Sequence, residues 1–491
     1  MSDPVNPEKG PLIPTREEIR QNLATVILEP LRSQLQAPGG DRASFPVIIV
    51  VNQFHQDGVE RARDRIAALA QPPGILASAR GDMPYLFGTL TGAQIIELVK
   101  ADRQQASSGG KYDRSAHLVH NISLDHELER CLTRSVSTVK ADAAWNAYDA
   151  RGEGVVWAVL DSGVDKDHTH FQKYGNLDLK DPLLHQDFVV DEDDEPIVDA
   201  YGHGTHVAGI IAGYAEGTEQ APLSMVRDEL INGQDAREKR QVQMERISGV
   251  APKAKILSLR VLNRRGKGRT QAVIEALQYI QELNQNGRRI RVHGVNLSLG
   301  YPFDPTWYAC GESLICVEVN RLVKSGVVVV VAAGNTGYGK LLDSSNGVVP
   351  SNLVCSINDP GNAEHAITVG ATHRDMPHTY GVSYFSSKGP TGDGRAKPDL
   401  LAPGERIVSC LSRQKAGAAP GAEQYVEDSG TSMAAPHVSG AIAAFLSVRE
   451  EFKGRPEQVK EIFMNTAIDL KRERHFQGRG LINLIGALQA C

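Results

Sequence analysis

The stretch that most restricts the fold is Gly430-Thr431-Ser432 followed by Met433 to Phe445. That run is nearly all small or apolar. A helix built from it has no polar face to offer water and must lie buried. Gly430 supplies a sharp bend, and Thr431 or Ser432 can cap the helix. A serine at this point holds its hydroxyl near the positive end of the helix dipole, and its own N–H is not used by the helix. Taken alone, such a serine is a helix cap before it is anything else.

Two further stretches change the meaning of that serine. Val155 to Leu160 is a run of β-branched and apolar residues that ends abruptly in Asp161-Ser162-Gly163. It reads as a strand of a parallel sheet, buried on both faces, with a carboxylate at its carboxyl end. α/β proteins place their sites at such ends. Asp199 to Gly213 sets His203 between Gly202 and Gly204 and runs on into a helix of very small residues. Small residues allow close helix packing, and the glycines let the backbone approach a substrate. The chain thus supplies a carboxylate, an imidazole and a hydroxyl. Serine is a weak nucleophile until a base takes its proton. The base in turn needs a buried carboxylate, which holds one tautomer and stabilises the imidazolium. A fourth component follows the apolar strand Val327 to Ala333. There the amide of Asn335, after Gly334, can donate to a developing oxyanion, an interaction worth roughly 3–4 kcal/mol.

The segments around Asp161, His203 and Ser432, with Ala332-Ala333-Gly334-Asn335, resemble the subtilisin-type serine proteases over residues 140–490. Their order along the chain, Asp, His, Ser, agrees with that family. The resemblance implies an α/β fold with a mostly parallel sheet and helices on both faces, and a serine endopeptidase activity. It implies that Asp161 orients the base, His203 is the base, Ser432 the nucleophile and Asn335 the oxyanion donor. It makes His206 and His437 packing or hydrogen-bonding residues. By the same carry-over, Gly266-Lys267-Gly268 adds to a bound peptide edge to edge, through main-chain bonds indifferent to side chains. Ser298-Leu299-Gly300 forms the other wall of the groove, with Ala333 and Gly334 among the substrate-binding residues. Asn358 falls near the floor of the primary specificity pocket. Polar residues there point beyond large apolar side chains toward basic ones, although a Pro-Gly turn explains Asn358-Asp359-Pro360-Gly361 equally well.

Residues 45–130 read as a separate small domain. Pro46–Val51 is a strand, Gly58–Ala70 a helix, Ile75–Ala79 and Tyr85–Leu90 two short strands about a turn at Gly81-Asp82. Thr91–Ala101 is a helix and Leu118–Leu124 a last strand. The order β-α-β-β-α-β is the split βαβ, ferredoxin-like α+β arrangement. Directly before a subtilisin-like domain it resembles the family's propeptide, an intramolecular chaperone and temporary inhibitor. A fused docking module is the other reading, because fold order alone says little about function. A propeptide implies an autoprocessed zymogen, cut between Asp125 and Thr138. Residues 1–44 read as a loosely docked arm with a helical pattern over Arg16–Leu35. The catalytic domain spans 139–491, with a charged, helix-prone insertion near 214–246.

A net charge of −6, with 41% hydrophobic and 23% charged residues, argues against a broad nucleic-acid role. Six cysteines are too few and scattered for a disulfide scaffold or a zinc ribbon, though Cys310 and Cys316 stand close enough to pair. No uninterrupted apolar run spans a bilayer and no secretory h-region opens the chain. The expected location is the cytoplasm, or elsewhere by a route the sequence does not show. The chemistry requires no cofactor. The carboxylates between Asp165 and Asp199 read as a solvated acidic loop, as calcium ligands or as a patch for basic substrates. Calcium wants six to eight oxygens, and no spacing here assigns a site. The expected partners are protein or peptide substrates and the chain's own N-terminal domain, with neither nucleic acid nor membrane.

Overall fold

The computed structural model describes residues 26–28, 31–70, 76–78, 83–106, 116–125, 134–190, 195–218, 222–230, 237–342, 348–416 and 424–491. The chain divides into two compact units, Met1–Arg130 and Cys131–Cys491.

The first unit has strands β1 (Ser44–Val51), β2 (Leu76–Ser78), β3 (Tyr85–Thr91) and β4 (Val119–Leu124), with helices Val59–Leu69 and Gly92–Ala106 between them. The sheet order is β2-β3-β1-β4, and every neighbouring pair is antiparallel. This is the split βαβ order that the pattern predicts. Along β1, Phe45, Val47, Ile49 and Val51 point inward by strict alternation. They meet Ala62 and Ile66 of one helix and Ile95, Leu98 and Val99 of the other. The arm expected over residues 1–44 is corrected in its second half. Ile27, Leu31 and Leu35 are buried in this same core, and Ile27 bridges Ile122. Leu31 and Leu35 stand four apart on the helix Leu31–Gln36, Ile27 reaches the core from its bridge, and burying each stabilises the unit by about 1.5–3 kcal/mol. Residues 16–25 and the turn at Gly81-Asp82 lie outside the described residues.

The strands of the second unit are, in chain order, β5 (Val156–Asp161), β6 (Gln186–Asp187), β7 (Tyr214–Glu216), β8 (Leu223–Leu230), β9 (Arg237–Met244), β10 (Arg246–Ser248) and β11 (Lys255–Arg260). There follow β12 (Gly294–Leu297), β13 (Val328–Ala332), β14 (Tyr338–Leu342), β15 (Val348–Asn352), β16 (Ile367–His373), β17 (Leu400–Glu405), β18 (Ile407–Cys410) and β19 (Tyr425–Asp428). Seven form one parallel sheet in the order β17-β16-β13-β12-β5-β11-β6. From β5 the chain builds β11 on one side, then crosses to β12 on the other. The crevice at that reversal is where open α/β sheets bind ligands. Leu297 pairs with Leu160, so Ser298 comes level with Asp161 at the carboxyl edge, and Asn335 follows β13 on the same edge.

Helices cover both faces. The helix Thr431–Val448 has the length and apolarity of a membrane span, but 83% of it is buried in the protein. It packs on β12, β13, β16 and β17 and on the helix His203–Ile211. The side chain of Trp157 is fully buried, and a Cβ at Gly294 would come within 2.3 Å of its ring, which is why that strand opens on glycine.

Among the described residues, the insertion near 214–246 is strand rather than helix. β8 and β9 form an antiparallel hairpin, and β8 pairs in parallel with β19 to complete a sheet of order β18-β19-β8-β9. Leu223, Met225 and Met244 are buried in the main core. Apolar anchors of period two and a free strand edge at β19 outweigh the helix propensity of the charged residues between. Strands β14 and β15 pair antiparallel after the Asn335 turn, and β19 stands just before the bend to Ser432. Cys310 and Cys316 are free thiols rather than a pair.

Candidate active site

Asp161 ends β5 and is 1% exposed. The chain then turns through Gly163 at φ +105, where a Cβ would lie 2.1 Å from the Val198 carbonyl. His203 opens its helix behind Gly202, which caps it in the left-handed region. Nδ1–H of His203 donates to both carboxylate oxygens of Asp161, at 2.8 and 2.9 Å. With the proton fixed on Nδ1, Nε2 carries the lone pair. The imidazole is 19% exposed. Burial opposes its charge most strongly, but Asp161, then Asp199 and Asp428, together outweigh burial and raise the pKa above the usual value.

A second buried carboxylate holds this turn together. Asp199 accepts from Ser162 Oγ (2.8 Å), Gly202 N–H (2.7 Å), Thr205 N–H (2.8 Å) and Thr205 Oγ1 (2.6 Å). Ser162 Oγ accepts from Gly204 N–H at 3.0 Å. A Cβ on Gly204 would lie 2.1 Å from the Gly163 carbonyl and 3.0 Å from Asp161 Cβ, so only glycine lets the histidine turn approach the aspartate. Asp165, fully buried, accepts from the Arg413 backbone N–H at 2.8 Å, and its own N–H donates to Thr205 Oγ1.

Ser432 lies in the first turn of the helix Thr431–Val448. Pro436, four residues on, has no N–H to give the Ser432 carbonyl. Ser298 Oγ supplies the missing donor at 2.9 Å, and Ser432 Oγ donates in return to the Ser298 carbonyl at 3.0 Å. Ser298 Oγ also accepts from Asn296 Nδ2, whose Oδ1 takes Ser439 Oγ. The nucleophile's helix is thus tied to the end of β12. The Ser432 hydroxyl is hydrogen-bonded to this wall rather than to His203.

Asn335 is exposed. Its Oδ1 accepts from Thr431 N–H at 2.9 Å and Thr431 Oγ1 at 3.0 Å. That pairing fixes the flip of the amide and leaves Nδ2 as a donor, 3.3 Å from where a Cβ on Gly430 would stand.

A cleft of about 470 Å³ is lined by His203, Tyr201, Gly266, Lys267, Gly268, Ser298, Leu299 and Gly300, among others. Six of the nine expected substrate-binding residues therefore share it with His203. Ala333, Gly334 and Asn358 gather instead around the Asn335 turn. Asn358 N–H donates to the Ala333 carbonyl at 3.0 Å, and a Cβ on Gly334 would lie 2.7 Å from Asn358 Cγ. The two groups meet where Tyr301 bridges Asp359. His206 donates from Nε2 to the Val426 carbonyl (3.2 Å) and His437 from Nδ1 to the Met433 carbonyl (2.8 Å). Burial pushes both down to about 4.

Sequence reasoning missed Tyr201, Thr431 and Asp199. Tyr201 packs where a Cβ on Gly266 would lie 2.4 Å from its ring, and its place two residues before His203 was the available signal. Among the described residues, no group of three or more His, Cys, Asp or Glu side chains is arranged to hold a metal ion. Asp165 is committed to Arg413, and Asp187 to Arg260 at 2.5 Å. Residues 191–194 lie outside the described residues.

Residues 152–481 match the profile described as the Subtilase family. The chain is 30% identical over 381 residues to the intracellular serine protease of Paenibacillus polymyxa, an alignment covering 76% of this chain and 91% of that protein. It is 28% identical over 382 residues to the serine protease AprX of Bacillus subtilis, covering 74% and 73%. Over 379 residues it is 28% identical to subtilisin E of Bacillus subtilis, covering 77% of each.

Proposed function

The chain belongs to the subtilase family of serine endopeptidases, and from that premise we propose how its residues divide the work. Asp161 holds His203 in one tautomer. Rotation of the Ser432 side chain off the Ser298 carbonyl brings its hydroxyl to Nε2, which takes the proton as Oγ attacks the scissile carbonyl. Asn335 Nδ2 and the Ser432 N–H receive the oxyanion. His203 then protonates the leaving amine, and water releases the acyl group. Lys267 and its glycine neighbours pair with the peptide backbone against Ser298-Leu299-Gly300, and Asn358 sits toward the specificity pocket. No cofactor enters these steps. The observation that carries the reading is the Asp161–His203 pair opening on a cleft whose wall, Ser298, is bonded to Ser432.

The first unit acts as an intramolecular chaperone and inhibitor, and the chain matures by cutting itself between Asp125 and Thr138. Supporting this are the βαββαβ order and its place directly before the catalytic unit; residues 126–133 lie outside the described residues. A cytoplasmic location is supported by similarity to relatives whose names call them intracellular.

The test combines casein hydrolysis, labelling by a serine-directed phosphonate and N-terminal sequencing. Wild-type protein should cleave casein, label at Ser432 and yield a new N-terminus between residues 125 and 139. Ser432→Ala should do none of these. Labelling and hydrolysis that persist in Ser432→Ala would overturn the assignment of the nucleophile, and an active enzyme that keeps its first unit intact would overturn the zymogen reading.

A further inference from the structure

We propose that Lys388 is a positioning residue for the oxyanion donor, its ammonium acting as an internal cation that clamps the backbone turn carrying Asn335. The inference rests on the role given to Asn335 above.

Lys388 is 2% exposed, yet among the described residues it has no carboxylate partner. Its three ammonium protons go to main-chain carbonyls: Gly337 at 2.8 Å, Tyr384 at 3.0 Å and Ser386 at 3.1 Å. The face of Phe476 lies 5.3 Å away. Burying a charge without a counter-ion is costly unless every proton finds an acceptor, and this cage supplies all three. Charge-assisted bonds of this kind are about twice as strong as neutral ones.

One of the three carbonyls belongs to the residue two beyond Asn335, and the rest of that turn is gripped by the same segment. Ser387 N–H donates to the Gly334 carbonyl (2.9 Å), Thr336 N–H to Ser387 Oγ (3.2 Å) and Gly337 N–H to the Phe385 carbonyl (2.9 Å). The contact is so close that a Cβ on Gly337 would stand 1.8 Å from the Ser386 carbonyl and 2.7 Å from Lys388 Nζ. Asn335 is the exposed crest of this clamped turn. Remove the ammonium and, among the described residues, the Tyr384 and Ser386 carbonyls face one another without a donor, while the Gly337 carbonyl keeps only the Leu353 N–H at 3.0 Å. They separate, Gly337 moves, and Asn335 moves with it. An oxyanion donor works only within about 2.7–3.1 Å of the developing charge, so a small displacement is felt in the rate.

Lys388→Met keeps an unbranched side chain one atom shorter and removes the ammonium. Its kcat on a peptide substrate should fall roughly tenfold to a hundredfold, with KM within about threefold, since the lost interaction is made only in the transition state. In an Asn335→Ala background the same substitution should lower kcat less than about twofold, because the donor it positions is gone. A kcat within twofold of the unaltered enzyme overturns the proposal. So does an effect that multiplies in full on Asn335→Ala, which is the signature of a structural role alone. Thermal unfolding is followed alongside. If Lys388→Met does not fold, Lys388→Gln, which keeps two donors without the charge, is put through the same cycle against the same limits. A wild-type protein that neither cleaves peptides nor labels at Ser432 refutes the active-site assignment instead.

Discussion

Lowering the pH from 8 to 5 should strip this protein of stability in a way that can be worked out from four buried histidines. His170, His206, His293 and His437 are 0%, 2%, 8% and 1% exposed. Burial pulls His170 down to about 3 and the other three to about 4. Each is placed as a neutral ring. His170 donates to the Gly209 carbonyl, His206 to Val426 and His437 to Met433, while His293 Nδ1 accepts from Val156 N–H. Between pH 6.5 and 4 the unfolded chain binds protons these rings refuse, so stability falls as pH falls through 6.5. At pH 5 each contributes a loss on the order of 2 kcal/mol. His203 works the other way: its raised pKa adds stability below 6.5 that is lost as pH rises through its folded value. The four together cost about 8 kcal/mol before that offset, comparable with the whole stability of a typical domain. For a unit running from Cys131 to Cys491, about 1 kcal/mol moves Tm by about 1.3 °C, so Tm should drop about 5–10 °C. The assay is calorimetry of Ser432→Ala, which cannot digest itself, at half-unit pH steps. In parallel, kcat/KM of the active enzyme should fall reversibly at a higher pH, because His203 is protonated before the buried rings are. A Tm that stays flat from pH 8 to 5, or a slope unchanged in His206→Gln, would refute the reasoning.

Asn335→Ala should lower kcat by about 10²–10³ with little change in KM; removing one such donor from a subtilisin has that effect, and steady-state kinetics on a peptide amide checks it. Asp161→Asn should cost about 10⁴ in kcat by releasing the tautomer of His203, with thermal unfolding showing a folded protein. Asp199→Ala orphans four buried donors and should destabilise by about 3–5 kcal/mol, read by denaturant unfolding. Gly204→Ala drives a methyl into the Gly163 carbonyl and toward Asp161; it should abolish phosphonate labelling of Ser432 even where circular dichroism shows the fold retained.

Local pattern was enough for part of this protein and topology decided the rest. The runs ending at Asp161 and Ala333 announce buried parallel strands because every position is apolar, and the run after Ser432 announces a buried helix for the same reason. The chemical groups of the site were legible because each stands beside glycines that serve close approach: Gly163, Gly202, Gly204 and Gly334. The hairpin β8–β9 was not legible, since its charged residues favour a helix and its partner strand, β19, lies some two hundred residues away. Nor could any local rule show that Ser298 supplies the hydrogen bond Pro436 withholds, that Thr431 fixes the flip of Asn335, or that Lys388 finds three carbonyls in place of an acid. Residue type and spacing settle what a segment can bury or donate. Which distant atom meets it is set only when the sheet order brings the strand ends to one edge.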